Sequence, residues 1–87
     1  MSNSKDSRIE ALRRGVALWP NHLEQRESLA LALVKDGQAD EALAHFEALV
    51  RMDPNSSDAQ FNLGCVLLQL KQFERSAEAF ATYLKKR

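Results

Sequence analysis

The strongest constraint on the fold is that the 87-residue chain repeats itself at an offset of 34 residues. Leucine, glutamine, proline and phenylalanine recur at matching positions, and small residues correspond to small residues. The pairs are Pro20 with Pro54, Asn21 with Asn55, Leu29 with Leu63, Ala30 with Gly64, Leu33 with Leu67, Gln38 with Gln72, Ala42 with Ser76 and Phe46 with Phe80. Self-similarity at a fixed period of about 20–50 residues is typical of proteins that stack one supersecondary unit several times.

Residues 29–54 show what one unit contains. Apolar residues recur at three- and four-residue spacing on both sides of Asp36-Gly37-Gln38, which predicts two helices joined by a tight turn. Gly37 can take the left-handed conformation that ends a helix, and Pro54 disfavours helix in the residue before it. The whole chain then predicts five helices and no strand. The first follows Ser4 or Ser7, the second runs from a cap at Asn21 to about Asp36, the third spans Ala39–Met52, the fourth runs from a cap at Asn55 or Ser56 to about Leu70, and the fifth spans 73–85.

At these positions the chain resembles the tetratricopeptide repeat family, whose unit is about 34 residues folded as two antiparallel helices. The matching residues are Leu29-Ala30, Ala42, Phe46 and Pro54 in one copy, and Leu63-Gly64, Phe73, Ser76 and Phe80 in the next. The resemblance implies an all-α fold, in which antiparallel helix-turn-helix repeats stack as a short right-handed α-solenoid. It implies one domain, residues 1–87, made of a half repeat (5–20) and two repeats (21–54 and 55–87).

Three positions depart from the family pattern. Arg26 and Gln60 stand where the family has a bulky aromatic residue near the start of the first helix of each pair. Lys71 stands where the first copy has the turn glycine, Gly37. If Lys71 must adopt a left-handed conformation there, that conformation costs about 1 kcal/mol relative to glycine.

Composition narrows the classes of partner. Twelve basic and twelve acidic residues cancel, which leaves no electrostatic footprint for nucleic acid. No apolar run reaches the roughly 18 residues of a membrane span, and the N-terminus lacks the apolar region of a signal peptide. The single Cys65 cannot form an internal disulfide, so we expect a cytoplasmic protein. The balance of charge is +2 in residues 1–20, −4 in 21–54 and +2 in 55–87. Solvated helix faces are the simpler explanation of that alternation, and attraction to a partner is the sharper one.

Residues that could carry chemistry are isolated from one another. His22 is predicted in a helix cap and His45 on an outward face, and neither has the further ligands that a metal site requires. Cys65 lies among apolar residues, which favours a small buried hydrophobe over a nucleophile. The carboxylates of Asp40 and Glu41 are adjacent in sequence and point to different sides of a helix. We therefore predict no enzyme, no metal and no cofactor.

The binding prediction rests on helix geometry. In stacked helical pairs the first helix of each pair lines the concave side, so its residues that are not needed for pairing face a groove. Those residues form an acidic edge and an apolar middle, or, alternatively, are simply buried against the neighbouring helix. They are Glu24, Glu27, Ser28, Leu31 and Lys35 in the second helix, and Asp58, Phe61, Asn62, Cys65, Leu68 and Gln69 in the fourth.

The predicted function is a protein-interaction module that binds a protein or peptide partner in this groove. Some family members hold the carboxylate tail of chaperones with lysine and asparagine residues, and only Asn62 matches that pattern, because Glu27 and Leu31 replace the others. An acidic, partly apolar groove favours a basic amphipathic peptide instead. The alternative function is structural self-association as a weak homodimer. Phe80, Tyr83 and Leu84 would then form an uncovered apolar face on the last helix.

Overall fold

The computed structural model describes residues 4–86, which form five α-helices and contain no β-strand. The helices are α1 (Ser4–Leu18), α2 (Leu23–Lys35), α3 (Ala39–Met52), α4 (Ser57–Gln69) and α5 (Phe73–Lys86). Each helix packs against the next one in the chain. The short turns between them reverse the chain direction, so that successive helices are antiparallel. The predicted number of helices is confirmed, as are both ends of α3.

The starts of α2 and α4 are fixed by side-chain caps. Ser56 caps α4, because its hydroxyl accepts a hydrogen bond of 3.1 Å from the backbone N–H of Ala59. The predicted cap at Asn21 is wrong. His22 precedes α2, and its Nδ1 accepts from the backbone N–H of Gln25 at 3.2 Å. The N–H of His22 itself donates to the carbonyl of Trp19 at 3.0 Å, and this turn moves the start of α2 one residue along the chain.

The turns inside the two helical pairs have the same backbone form. Gly37 has φ of +78° and Lys71 has φ of +63°, so both lie in the left-handed region. In the first turn the N–H of Gln38 donates to the carbonyl of Leu33 at 2.8 Å, and in the second Gln72 donates to Leu67 at 2.9 Å. Lys71 therefore does adopt the left-handed conformation that the missing turn glycine made a question.

Small residues bring the paired helices together. Ala30 of α2 and Ala42 of α3 are fully buried in the core. In the second pair, the buried hydroxyl of Ser76 donates to the carbonyl of Gly64 at 2.8 Å. A Cβ atom on Gly64 would lie 2.7 Å from the ring of Phe80, which is too close for a real contact. Glycine at position 64 therefore allows α5 to lay an aromatic ring directly on the backbone of α4.

Two ion pairs connect α3 with α1 and with α5. Arg13 of α1 holds both carboxylate oxygens of Glu41 in α3, with N–O distances of 2.7 and 3.1 Å. Arg75 of α5 reaches Glu47, also in α3, at 2.6 Å. The acidic middle of the chain thus contacts basic residues on both sides. Some of the unevenly distributed charges therefore form ion pairs between helices. The simpler explanation from the sequence, solvated helix faces alone, does not account for these pairs.

Between Ser4 and Lys86, no helix combines the length and the apolar character that a membrane crossing requires.

Candidate functional site: the α2–α4 groove

The side chains of α2 and α4 meet along a shallow groove. The amide Nδ2 of Asn62 in α4 donates to the Oε2 carboxylate oxygen of Glu27 in α2 at 3.4 Å. We use the term α2–α4 groove for the surface made by the eleven predicted binding residues and the two pockets beside them. Two pockets with different chemistry open along it.

The first pocket has an apolar floor. It is an open cavity of about 270 Å³ between the two helices. Its lining residues are Leu31, Val34, Phe46, Asn62, Cys65, Val66 and Gln69. Four of these, Leu31, Asn62, Cys65 and Gln69, are predicted binding residues, so the structure brings together residues from both helices. We call this cavity the apolar pocket.

The second pocket carries three carboxylates. It is a smaller cavity of about 80 Å³ where the end of α3 and the start of α4 meet α2. Its lining residues are Leu23, Glu24, Glu27, Leu49, Asp53, Ser56 and Ala59. No lining residue is basic. We call this cavity the acidic pocket, and Glu27 connects it to the apolar pocket through its hydrogen bond to Asn62.

Three aromatic rings pack together where α4 faces α5. Phe61 is 43% exposed, and its ring centroid lies 5.7 Å from that of Phe80 and 5.2 Å from that of Tyr83. The expectation that Phe80, Tyr83 and Leu84 form one uncovered face is therefore wrong for the first two. Phe80 and Tyr83 turn back onto α4, because Gly64 leaves room for the Phe80 ring. Leu84 is 62% exposed.

The other predicted binding residues lie on the same two helices. Ser28, Lys35, Asp58 and Leu68 are exposed. Cys65 is also exposed, which corrects the interpretation of a buried hydrophobe: its helix presents it to the apolar pocket. Partial burial raises the pKa of the Cys65 thiol, so it stays protonated at neutral pH. A protonated thiol in a pocket offers a small, weakly polar contact surface.

Sequence reasoning missed two groups of lining residues. Val34, Phe46 and Val66 belong to the core and also form the floor of the apolar pocket. Asp53 adds a carboxylate to the acidic pocket from the end of α3. The position of Asp53 could have been predicted from the Asp53-Pro54 pair. The pair marks the end of α3, and the residue that ends one helix pair must lie near the first helix of the next pair. The positions of Leu23, Leu49, Ser56 and Ala59 needed the packed structure.

The two histidines have different surroundings. His22 lies in the cap of α2, where it was predicted, and it is the capping residue itself in place of Asn21. His45 is half-buried rather than outward, because Arg26 reaches across from α2 to its Nδ1 at 3.2 Å. Among the described residues, no three histidine, cysteine, aspartate or glutamate side chains come together as metal ligands.

Comparison with known families decides the class of the fold. A family model of the tetratricopeptide repeat matches residues 27–87. The chain belongs to the tetratricopeptide repeat family. Its five helices form a short right-handed α-solenoid of antiparallel helix-turn-helix repeats, as the resemblance implies.

Solved structures agree with this fold. The protein YrrB, described as a tetratricopeptide repeat protein with an unusual peptide-binding site, is 28% identical with a TM-score of 0.89, over 95% of this chain. MamA is 23% identical with a TM-score of 0.88, over 97% of this chain. The second tetratricopeptide repeat domain of Spaghetti (RPAP3), solved with the HSP90 peptide SRMEEVD, is 22% identical with a TM-score of 0.85, over 95% of this chain.

These proteins are longer than the present chain. The matched region is 49% of the MamA chain, 43% of the YrrB chain and 77% of the Spaghetti domain. No curated protein matches the chain in sequence.

Proposed function

We propose that this chain is a protein-interaction module that binds a peptide segment of a partner protein in the α2–α4 groove. The observation that carries the proposal is the pair of adjoining pockets, one apolar and one lined by three carboxylates. An exposed apolar surface with a polar rim is typical of an interaction site. YrrB is described as having an unusual peptide-binding site, and the Spaghetti domain was solved with a bound peptide, which supports the same kind of function for this member of the family.

The chemistry of the groove favours a basic, partly apolar segment. The acidic pocket offers the carboxylates of Glu24, Glu27 and Asp53 to a lysine or arginine side chain. The apolar residues beside them would cover the aliphatic stem of that side chain. The apolar pocket would take an aliphatic or aromatic residue of the same segment. The two pockets adjoin, because Glu27 of the acidic pocket accepts a hydrogen bond from Asn62 of the apolar pocket. A partner with both features contacts both pockets at once.

The proposed ligand differs from the acidic peptide of the Spaghetti domain. The sequence SRMEEVD contains three acidic residues and one arginine. A groove that carries Glu24, Glu27 and Asp58 repels such a segment, and like-charge juxtaposition is an effective way to exclude a wrong partner. We therefore expect the SRMEEVD peptide to bind this chain more weakly than a basic peptide with the same apolar content.

Selection from a displayed library of random peptides tests the proposal. We expect the enriched peptides to carry lysine or arginine next to an apolar residue, and their affinity to fall as salt rises. Glu24→Gln should weaken them by at most about fivefold, because an exposed ion pair contributes about 0.2–1 kcal/mol. Glu74→Gln is the matched control, since both glutamates lie in the first turn of their helices. Enriched peptides without basic residues, or an equal effect of the two variants, would refute the proposed ligand class.

The apolar pocket has its own test. Leu31→Ala should weaken the same peptides, whereas Leu18→Ala should not, because Leu18 is an exposed leucine of α1 and does not line either pocket. Loss of binding with Leu18→Ala and none with Leu31→Ala would place the contact outside the groove.

The proposed module has no catalytic role, and the lone Cys65 supports the proposal of a cytoplasmic location.

A second candidate function is weak self-association through the end of α5. Leu84 supports it as a large exposed apolar side chain, although Phe80 and Tyr83 are partly covered by Phe61.

A further inference from the structure

A polar network joins α1, α2 and α3 at the first turn of α2. The guanidinium of Arg26 donates through Nη2 to the backbone carbonyl of Pro20 at 2.9 Å. Its Nη1 lies 3.2 Å from Nδ1 of His45 in α3. One side chain thus holds the α1–α2 turn and α3 at the same time. Its Nε is buried with no hydrogen-bond partner among the described residues, so the position of Arg26 depends on these two contacts.

The direction of the Arg26–His45 hydrogen bond fixes the protonation state of the histidine. Arginine has only donors and keeps its charge at all ordinary pH values. Nδ1 of His45 must therefore be the acceptor, and the proton of the neutral ring must be on Nε2. Adding a second proton, on Nδ1, removes the acceptor and places a cation against the guanidinium. The hydrogen bond cannot exist in both protonation states of His45.

The other charges near His45 do not remove this conflict. Arg13 of α1 adds a second positive charge, and Glu41, on α3 itself, is the nearby acid. Glu41 already gives both carboxylate oxygens to Arg13, at 2.7 and 3.1 Å. Arg13 is held in place further by Glu10, at 2.8 Å. A protonated imidazole would therefore have to share a Glu41 oxygen with the guanidinium of Arg13, which is itself a cation.

We propose that the Arg26–His45 hydrogen bond is a pH-sensitive latch, which ties the α1–α2 turn to α3 while His45 is neutral and opens when His45 binds a proton. The inference concerns the joint between the half repeat and the first full repeat, and it stands whether or not the groove binds a peptide. Opening frees Arg26 from α3 and loosens α1 and the start of α2, while α4 and α5 keep their packing.

The local environment opposes protonation in the folded chain. Burial of the ring lowers the pKa of His45 from its ordinary value of 6.5, and the charge of Arg26 lowers it further. The unfolded chain therefore takes up this proton at a higher pH than the folded chain does. The contribution to stability is complete above about pH 6.5, and it is lost as the pH falls from there through the pKa of folded His45.

Nitrogen-15 and proton NMR of the native chain test the latch without any substitution. At pH 7.5 we expect His45 to show an unprotonated Nδ1 and a proton on Nε2, and its titration midpoint to lie below 6.5. As His45 titrates, amide shifts should move in α1, in the turn at residues 19–22 and in the first turn of α2. A proton on Nδ1 at pH 7.5, or a midpoint at or above 6.5, would overturn the proposal.

Two variants connect the titration to stability. His45→Asn keeps an oxygen near the position of Nδ1 but does not titrate, so its urea midpoint should change less than that of the native chain between pH 7.5 and pH 5.5. His22→Asn removes the other histidine and keeps a capping side chain, and it should retain the part of the native pH dependence that His45→Asn removes. If His45→Asn loses no pH dependence, or if His22→Asn removes it, the latch is not at His45.

Discussion

Gly37 and Lys71 occupy the same place in the two helix-turn-helix units and have nearly the same backbone angles. The left-handed conformation is free of cost for glycine and costs about 1–2 kcal/mol for other residues. The fold accepts this cost at Lys71 because the turn still satisfies the last carbonyls of α4, as its counterpart does for α2. The second repeat therefore carries a local strain that the first does not.

Lys71→Gly is expected to raise the free energy of unfolding by about 1 kcal/mol, because it removes this strain. Gly37→Ala, at the equivalent turn, should lower it by a similar amount, since nothing but the backbone conformation opposes a Cβ there. Urea unfolding of the two variants and the native chain measures both changes. A Lys71→Gly variant that is no more stable than the native chain would contradict the assignment of strain to this residue.

At the scale of helices, the two phenylalanines on neighbouring elements have different roles. Phe46 of α3 is 1% exposed and belongs to the central core, whereas Phe61 of α4 is 43% exposed and lies against two rings of α5. Burial of a full aromatic side chain between three helices contributes more to stability than a half-exposed contact with a single helix.

Phe46→Ala is expected to lower the free energy of unfolding by about 3–5 kcal/mol, the usual cost of truncating a buried aromatic residue. Phe61→Ala should cost clearly less, because part of its ring is already in water and its partners keep their own contacts. Thermal unfolding of the two variants compares them directly. Equal losses would mean that Phe61 is a core residue and that the groove is narrower than we describe.

The elements and the pairing of helices follow from the sequence, because apolar spacing, a turn glycine and a stop proline are local signals. The caps and polar contacts do not. Asn21 has the higher preference for capping positions, yet His22 is the cap. The reason is the turn in which the N–H of His22 donates to the carbonyl of Trp19. The helical phase of His45 indicates an outward face, but the long side chain of Arg26 crosses from the neighbouring helix and covers it. Contacts made by long side chains between elements depend on the packed geometry.

At the scale of the whole molecule, the end of α5 decides whether two chains associate. Leu84 is the most exposed of the three apolar residues there, and burying a leucine stabilises an interface by about 1.5–3 kcal/mol. One such side chain per protomer supports a weak contact at most, since stable interfaces bury about 1,200–2,000 Å². Two-fold symmetry would bring the two copies of Leu84 together.

Sedimentation velocity over a hundredfold concentration range is expected to show an average mass that rises above that of the monomer only at the highest concentrations. Leu84→Glu should remove this rise, because it places two carboxylates opposite each other in the contact. A monomer at every concentration would exclude the dimer. Association that survives Leu84→Glu would place the contact on another surface.

We propose that the α2–α4 groove binds a basic, partly apolar peptide. Amide shift mapping with one peptide from the library selection tests this proposal, because it reports where on the chain the peptide lies. We expect the largest shifts in α2 around Glu24 to Leu31, in α4 around Phe61 to Gln69 and at Asp53, with the outer face of α1 unchanged. Shifts concentrated in α1 or at the end of α5, with α2 and α4 unaffected, would contradict the claim.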